Sequence, residues 1–310
     1  MPKDADHRLL LLDSASMYFR AFYGVPDTMV APDGTPVNAV RGFLDYIARL
    51  VDDREPTHVV AAMDADWRPA WRVEAIESYK THRVADEATN SEEVPDLLSP
   101  QVPIIEAALD ALGICRIGVT GYEADDVIGT LALTATMPVE IVTGDRDLFQ
   151  LVDDARSVRV IYIVKGVGNR EIIDEAEVAR RYNIPGRAYA DFATLRGDPS
   201  DGLPGVPGVG DKTAAVLITT FGDLDGILAA AAKGDDGFPR GCHAKVVGAV
   251  DYIDRARKVV LVAGDVPVGT YDATLPRTPA DPDALDELAQ RWGLGTSIER
   301  VLKALASAHA

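Results

Sequence analysis

Apolar residues fall into two periods along this chain. Short unbroken runs at Leu9-Leu10-Leu11-Leu12, His58 to Met63, Ile114 to Val119, Val139 to Thr143 and Val158 to Ile163 read as strands. Between them the spacing lengthens. Val37, Val40, Phe43, Leu44, Ile47, Leu50 and Val51 predict a helix over about Val37 to Val51, and residues 101–112 a second. Val127, Ile128, Leu131 and Ala132 predict a third, starting near Tyr122. Strands alternating with helices imply an α/β fold: a central, mostly parallel twisted sheet flanked by helices. Asp174 with Glu177 resembles a capping box opening a helix through Tyr182. From residue 214 onward the pattern predicts short helices at 214–221, about 223–233, about 243–257, 283–292 and 297–307. Residues 233–241 and 264–282 read as loops.

Acids stand where these strands end. The first run closes on Asp13, the second on Asp64 and the fourth on Gly144-Asp145-Arg146-Asp147, while the third leads into Glu123-Ala124-Asp125-Asp126. With 49 acids in 310 residues, any position is acidic about one time in six, so this placement is informative. The carboxyl edge of an open parallel sheet is also where ligands bind. Turns favour Asp on their own account, and acids in a first helical turn suit the positive end of the helix dipole. Three acids within four positions nevertheless repel one another, and a divalent metal relieves that repulsion. A converging metal cluster is the expectation.

Two other stretches carry chemistry. Arg68, Arg72, Lys80, His82 and Arg83 interleave with Trp67, Trp71 and Tyr79, a mixture that suits a single nucleic-acid strand or an ordinary surface loop with core aromatics. Residues 84–100, rich in Glu, Asp, Ser and Pro, read as mobile. The run from Arg196 to Thr213 holds Gly205, Gly208 and Gly210 among prolines, so it reads as a tight turn between helices. A helix opening at about Asp211 would turn free N–H groups toward a phosphate. Asp211 separates Gly210 from Lys212, so this is not the GK[ST] loop that cradles nucleotides.

Composition narrows the class. The 47% hydrophobic content supports a sizeable core, and no apolar run approaches a membrane span. The mixed-charge start shows no signal peptide, and Cys115 and Cys242 form no CxxC, so a soluble cytoplasmic protein without a zinc site is expected. The net charge of −18 disfavours a nucleic-acid binder when taken alone, but a metal cluster inflates the negative count and local basic patches escape it.

Taken together, Asp13, Met63-Asp64-Ala65, Tyr79-Lys80-Thr81-His82-Arg83, Glu123-Ala124-Asp125-Asp126, Thr143-Gly144-Asp145-Arg146-Asp147 and Gly197-Asp198-Pro199-Ser200-Asp201 through Thr213 resemble the 5′-nuclease family. This is the family of the 5′→3′ exonuclease domain of bacterial DNA polymerase I and of the flap endonucleases. The motifs occur in family order over roughly residues 8 to 260, and no residues remain for a polymerase, so a free-standing member is expected. Gly202 departs from the Asn common in polymerase I domains.

The resemblance implies a structure-specific 5′→3′ exonuclease and 5′-flap endonuclease, serving primer removal in replication and repair. It implies two or more Mg²⁺ or Mn²⁺ ions and a substrate of DNA with a 5′ end or flap, RNA–DNA primers included. By analogy Asp13, Asp64, Glu123 and Asp125 hold the first metal, and Asp145, Asp147 and Asp201 serve the second, with Asp125 shared. Asp126 and Asp198 join as extra acids of the bacterial branch. Lys80 and Arg83 sit at the base of a helical arch (about 66–100) and contact the scissile phosphate, helped by Arg20 and Arg72. Tyr79 either stacks on a terminal base or packs. Gly205, Gly208, Gly210, Lys212 and Thr213 form a helix–hairpin–helix-type turn that grips duplex DNA, with K⁺ on its carbonyls. The implied division is a nuclease domain at 1–190 and a helical DNA-binding domain at 191–310, in a monomer that contacts no membrane.

Overall fold

The structure, a computed structural model, describes residues 7–86, 88, 91–164 and 167–308. In chain order its first half contains β1 (Leu9–Asp13), α1 (Ser14–Gly24), α2 (Asn38–Arg54), β2 (His58–Ala62), α3 (Ala70–Ala75), β3 (Val84–Asp86), β4 (Ser91–Glu92), α4 (Val102–Leu112), β5 (Cys115–Ile117) and α5 (Ala124–Thr134). There follow β6 (Val139–Thr143), β7 (Val158–Ile163), β8 (Arg170–Ile173), α6 (Glu175–Tyr182) and α7 (Tyr189–Arg196). Helices then run alone: α8 (Asp211–Phe221), α9 (Leu224–Lys233), α10 (Cys242–Val247), α11 (Val250–Val260), α12 (Pro282–Trp292) and α13 (Gly295–Ser307).

The strand order is β5-β2-β1-β6-β7-β8, parallel throughout except for β8, which returns antiparallel on β7. The Leu9–Leu12 run lies at the centre, hydrogen-bonded on both sides. Strand alternation divides it between two cores. Leu9 and Leu11 face a core built with α5, α7, α8 and α11, and Leu10 and Leu12 face one built with α2, α4 and α13. A strand covered on both faces must be apolar at every position, which is why it reads as an unbroken run.

Several elements depart from the sequence reading. The helix expected near Tyr122 begins at Ala124, because Glu123 serves as its N-cap in a reciprocal capping box with Asp126. The single helix expected over 243–257 is two, α10 and α11, parted at Gly248 and Ala249. α1 and the short edge strand β8 went unread, since neither carries a sustained period. The helical arch expected at 66–100 is only partly helical: Pro69 starts the six-residue α3, Thr81–Arg83 is a 3₁₀ turn, and β3 pairs with β4 in a ribbon. Residues 87, 89 and 90 of the stretch read as mobile lie outside the described residues. The last two helices fold back on the first half. α13 packs on α2, Arg300 pairs with Asp45 at 2.7 Å, and Arg41 donates to the Gly293 carbonyl. No single described helix is long and apolar enough to cross a membrane.

Gly129 marks where the chain after α11 crosses α5. A Cβ there would stand 2.7 Å from Val262 Cγ2 and 2.9 Å from the Ala263 oxygen. Glycine to alanine inside a helix ordinarily stabilises by up to about 1 kcal/mol. Here Gly129→Ala is expected to destabilise by about 1–3 kcal/mol through overpacking, read by urea unfolding. A gain in stability would show that this crossing is loosely packed.

Candidate active site and nucleic-acid interface

The parallel strands deliver their acids to one edge. Asp13 closes β1, Asp64 follows β2 by two residues, Glu123 and Asp125 open α5, and Asp145 follows β6. These five carboxylates line a cleft of about 670 Å³, together with Arg20, Lys80 and Arg83. Asp147 and Asp201 stand beside it. The Asp147 N–H donates to Asp145 Oδ1 at 2.9 Å, and Arg83 donates to Asp201 Oδ1 at 3.4 Å and to the Ser200 carbonyl at 3.0 Å.

Local chemistry holds most of these groups still. Asp13 accepts from the Ser16 N–H at 3.0 Å, capping α1, and from the Thr143 hydroxyl at 2.6 Å. Thr143 also accepts the Asp145 N–H, so this threonine organises two acids. Asp64 accepts the Ala124 N–H at 2.7 Å. Glu123 receives the Tyr79 hydroxyl on Oε1 at 2.7 Å and the Lys80 ammonium on Oε2 at 2.5 Å. Asp125 makes no side-chain hydrogen bond among the described residues.

Burial and crowding raise the acids. Desolvation, then the charges of Asp13, Asp145 and Glu123, push Asp125 far above the usual carboxylate range. Desolvation, with Asp145, Asp201 and Asp198, does the same to Asp147. Asp64 opens to the cleft but is otherwise walled by protein, and desolvation carries it to about 7; Asp201 reaches about 6 for the same main cause. Glu123 is the exception. Burial works against its charge, but Lys80 and Arg72 outweigh that and hold it low. No group of three or more His, Cys, Asp or Glu among the described residues is drawn together tightly enough to ligate one ion. Mutual repulsion accounts for the spacing. The donor set, all hard oxygen with Asp125 unengaged, fits a divalent cation such as Mg²⁺ or Mn²⁺.

Four expected residues are used otherwise. Asp126 is fully buried, bound by both Arg72 Nη atoms and by the Glu123 and Ala263 N–H groups, so neither oxygen faces the cleft. Asp198 caps the turn Pro199–Asp201 through Ser200 and pairs with Arg196 at 3.1 Å. Arg72 is 2% exposed, its guanidinium engaged by Asp126 and the Val259 carbonyl. Tyr79 is 3% exposed, packed with its hydroxyl on Glu123. The exposed ring at the cleft is instead Tyr23, one turn beyond Phe19 on α1. Its mark in the sequence is the four-residue spacing of Phe19 and Tyr23 behind the cap Asp13.

The glycine turn divides similarly. Gly205, at φ +72°, is buried; its N–H donates to the Tyr252 hydroxyl at 2.9 Å, and a Cβ would meet the Arg196 oxygen at 2.4 Å. It is scaffold. Gly208, also at φ +72°, Gly210 and Lys212 are exposed at the start of α8, with Thr213 half-buried behind them. Lys245 of α10 donates to the Gly208 carbonyl at 3.0 Å, one of the carbonyls on which K⁺ was expected.

Comparison with known proteins places the chain. Residues 8–183 match the 5′-3′ exonuclease N-terminal resolvase-like domain, and residues 184–283 match the 5′-3′ exonuclease C-terminal SAM fold. The chain belongs to the 5′-3′ exonuclease family. It is 61% identical over 299 residues to a 5′-3′ exonuclease of Streptomyces coelicolor, covering 96% of this chain and 99% of that one. It is 38% identical over 308 residues to DNA polymerase I of Mycobacterium bovis, covering 97% of this chain but 32% of the polymerase. Among solved structures, a bacteriophage T5 flap endonuclease in a pseudo-enzyme-product complex with DNA and metal ions superposes with a TM-score of 0.63 at 15% identity, over 96% of this chain and 99% of that one. Membership makes it a nuclease, a hydrolase acting on DNA, and the T5 likeness shows that the fold persists where sequence has diverged.

The raised acids set a pH dependence for the metal-free nuclease. Asp64 and Asp201 stand at about 7 and about 6 in the fold against an ordinary 3.8, so between those values the folded chain binds more protons than the unfolded one. Their contribution to stability is complete below about pH 4 and is lost as pH rises through 6 to 7. Thermal melts in chelator are expected to show a lower Tm near pH 8 than near pH 5, with Asp64→Asn flattening the fall. A metal-free Tm that climbs over this window would contradict the crowding.

Proposed function

We propose that this 5′ nuclease cuts DNA at a 5′ end or 5′ flap with two divalent ions, Mg²⁺ or Mn²⁺, held by the cleft acids. Asp13, Asp64, Glu123 and Asp125 take the first ion, and Asp145, Asp147 and Asp201 the second, with Asp125 shared. The observation that carries this reading is Asp125, a cleft-lining acid raised by desolvation and then by Asp13, Asp145 and Glu123, and without a hydrogen-bonding partner among the described residues. Asp126 and Asp198 are left out of the ligand set: Asp126 is locked beneath the cleft by Arg72 and Asp198 is turned onto Ser200 and Arg196, whereas Glu123, though paired with Lys80 and Arg72, lines the cleft. Bound there, the ions supply an attacking hydroxide and relieve charge at the phosphate.

The chain's own groups do the rest. Lys80 is held charged: burial disfavours the ammonium, but Glu123 together with Tyr79, Asp201 and Asp64 outweighs it. It and Arg83 face the cleft and stabilise the charge that develops on the scissile phosphate. Arg20, anchored on the Val164 carbonyl at 2.7 Å, borders the same space and orients the strand. Gly208, Gly210, Lys212 and Thr213 present the α8 N-terminus to a duplex phosphate, with Lys245 in place of a bound K⁺. We divide the chain into a nuclease half to about residue 190 and a helical duplex-binding region, with α12 and α13 returned to the first. The substrate includes RNA–DNA primers, and a cytoplasmic monomer fits two unpaired cysteines.

Cleavage of 5′-flap DNA, single-stranded RNA and a nitrophenyl phosphate under Mn²⁺ tests this. Flap DNA is expected to be preferred, and Asp125→Ala to lower kcat at least about a hundredfold without loss of Tm. Preference for RNA points to a ribonuclease, and for the aryl phosphate to a small-molecule hydrolase; either sinks the reading. For the duplex grip, Lys212→Ala is expected to weaken binding evenly across DNA sequences and lower the salt slope by about one unit. An unchanged slope removes the turn from the interface.

A further inference from the structure

Arg72 sits behind the acid cleft with its whole guanidinium engaged. Nη1 lies 2.9 Å from Asp126 Oδ2 and 2.9 Å from Glu123 Oε1, Nη2 donates to Asp126 Oδ1 at 2.6 Å, and Nε donates to the Val259 carbonyl of α11 at 3.1 Å. Its guanidinium carbon stacks 4.4 Å from the centre of the Trp71 ring. A planar fork fixed at several points cannot swivel, so its direction toward Glu123 is set from outside the cleft. Asp126 is itself tied to the Glu123 and Ala263 N–H groups. The anchor therefore spans α3, α5 and α11.

We infer that Arg72 is a positioning residue that holds the Glu123 carboxylate in the orientation a divalent ion needs, with Asp126 and the Val259 carbonyl as its anchor. This rests on the proposed ion site. Partners behind a ligating carboxylate fix its geometry, and losing one typically lowers metal affinity about 10–100-fold. Arg72 never touches substrate. A plain structural ion pair would make a different prediction, since its removal would lower stability and leave the metal affinity of the folded protein alone.

The experiment is calorimetric titration of the full chain with Mn²⁺ alone, without DNA. Arg72→Lys keeps the charge but cannot bridge both carboxylates and the carbonyl. The Arg72→Met and Asp126→Asn double variant removes the buried pair in a charge-balanced way, should the lysine variant fail to fold. Either folded variant is expected to bind Mn²⁺ about tenfold or more weakly. KM for DNA should stay within about twofold, and kcat should recover as Mn²⁺ is raised. An unchanged Mn²⁺ affinity in a folded variant overturns the inference, and so does failure of both variants to fold, which would make the pair a stability element. Asp125→Asn serves as the control for the site itself. If it leaves Mn²⁺ affinity untouched, the ion site is misplaced, whatever the Arg72 variants show.

Discussion

Like-charge repulsion at the carboxyl edge of the sheet is the constraint on which the rest of this molecule depends. Asp13, Asp64, Asp125 and Asp147 are each raised by desolvation and by the charges of neighbouring acids, Asp145 among them for all but Asp64. Such a cluster is tolerable only if the fold supplies counter-charge or leaves room for it. Glu123 has its compensation built in, through Lys80 and Arg72. Asp125 receives only minor relief from Lys80 and makes no side-chain hydrogen bond among the described residues, which leaves its oxygens open to a ligand.

The two-core sheet is what holds the crowded edge in place. Because β1 is paired on both sides and covered on both faces, its terminal Asp13 cannot retreat from its neighbours. The helices close the arrangement from both ends of the chain. α11 and the segment behind it reach α5 through Ala263 at Asp126 and Val266 at Thr130, and α3 through Val259 at Arg72, while α13 covers the opposite face against α2. The fold is thus clamped on the site from behind, and the cleft is the open side.

The overall charge of −18 no longer argues against nucleic acid once the charges are located. Several acids are concentrated in the cleft, while Lys80, Arg83 and Arg20 border it and Lys212 and Lys245 mark the hairpin. Association with a polyanion depends on that local arrangement more than on the sum.

The alternating pattern of apolar runs and helical periods determined the α/β class, five of the six strands in the main sheet and the edge at which acids gather, because burial on both faces and a period of 3.6 leave direct marks in sequence. The acid motifs and the glycine turn were legible for the same reason: each is local, set by residues a few positions apart. What only the tertiary structure decided is which members of those motifs face the cleft. Asp125 and Asp126 are neighbours in sequence, yet one lies open among repelling acids and the other is locked by Arg72 from a helix more than fifty positions away. Gly205 and Gly208 share a positive φ, yet one is pressed against Arg196 and the other is exposed beside Lys245. Arg72 was expected at the scissile phosphate and Tyr79 either to stack or to pack, and both are buried against Glu123. Orientation, burial and partners across long sequence separations are properties of packing, and a linear pattern carries no record of them.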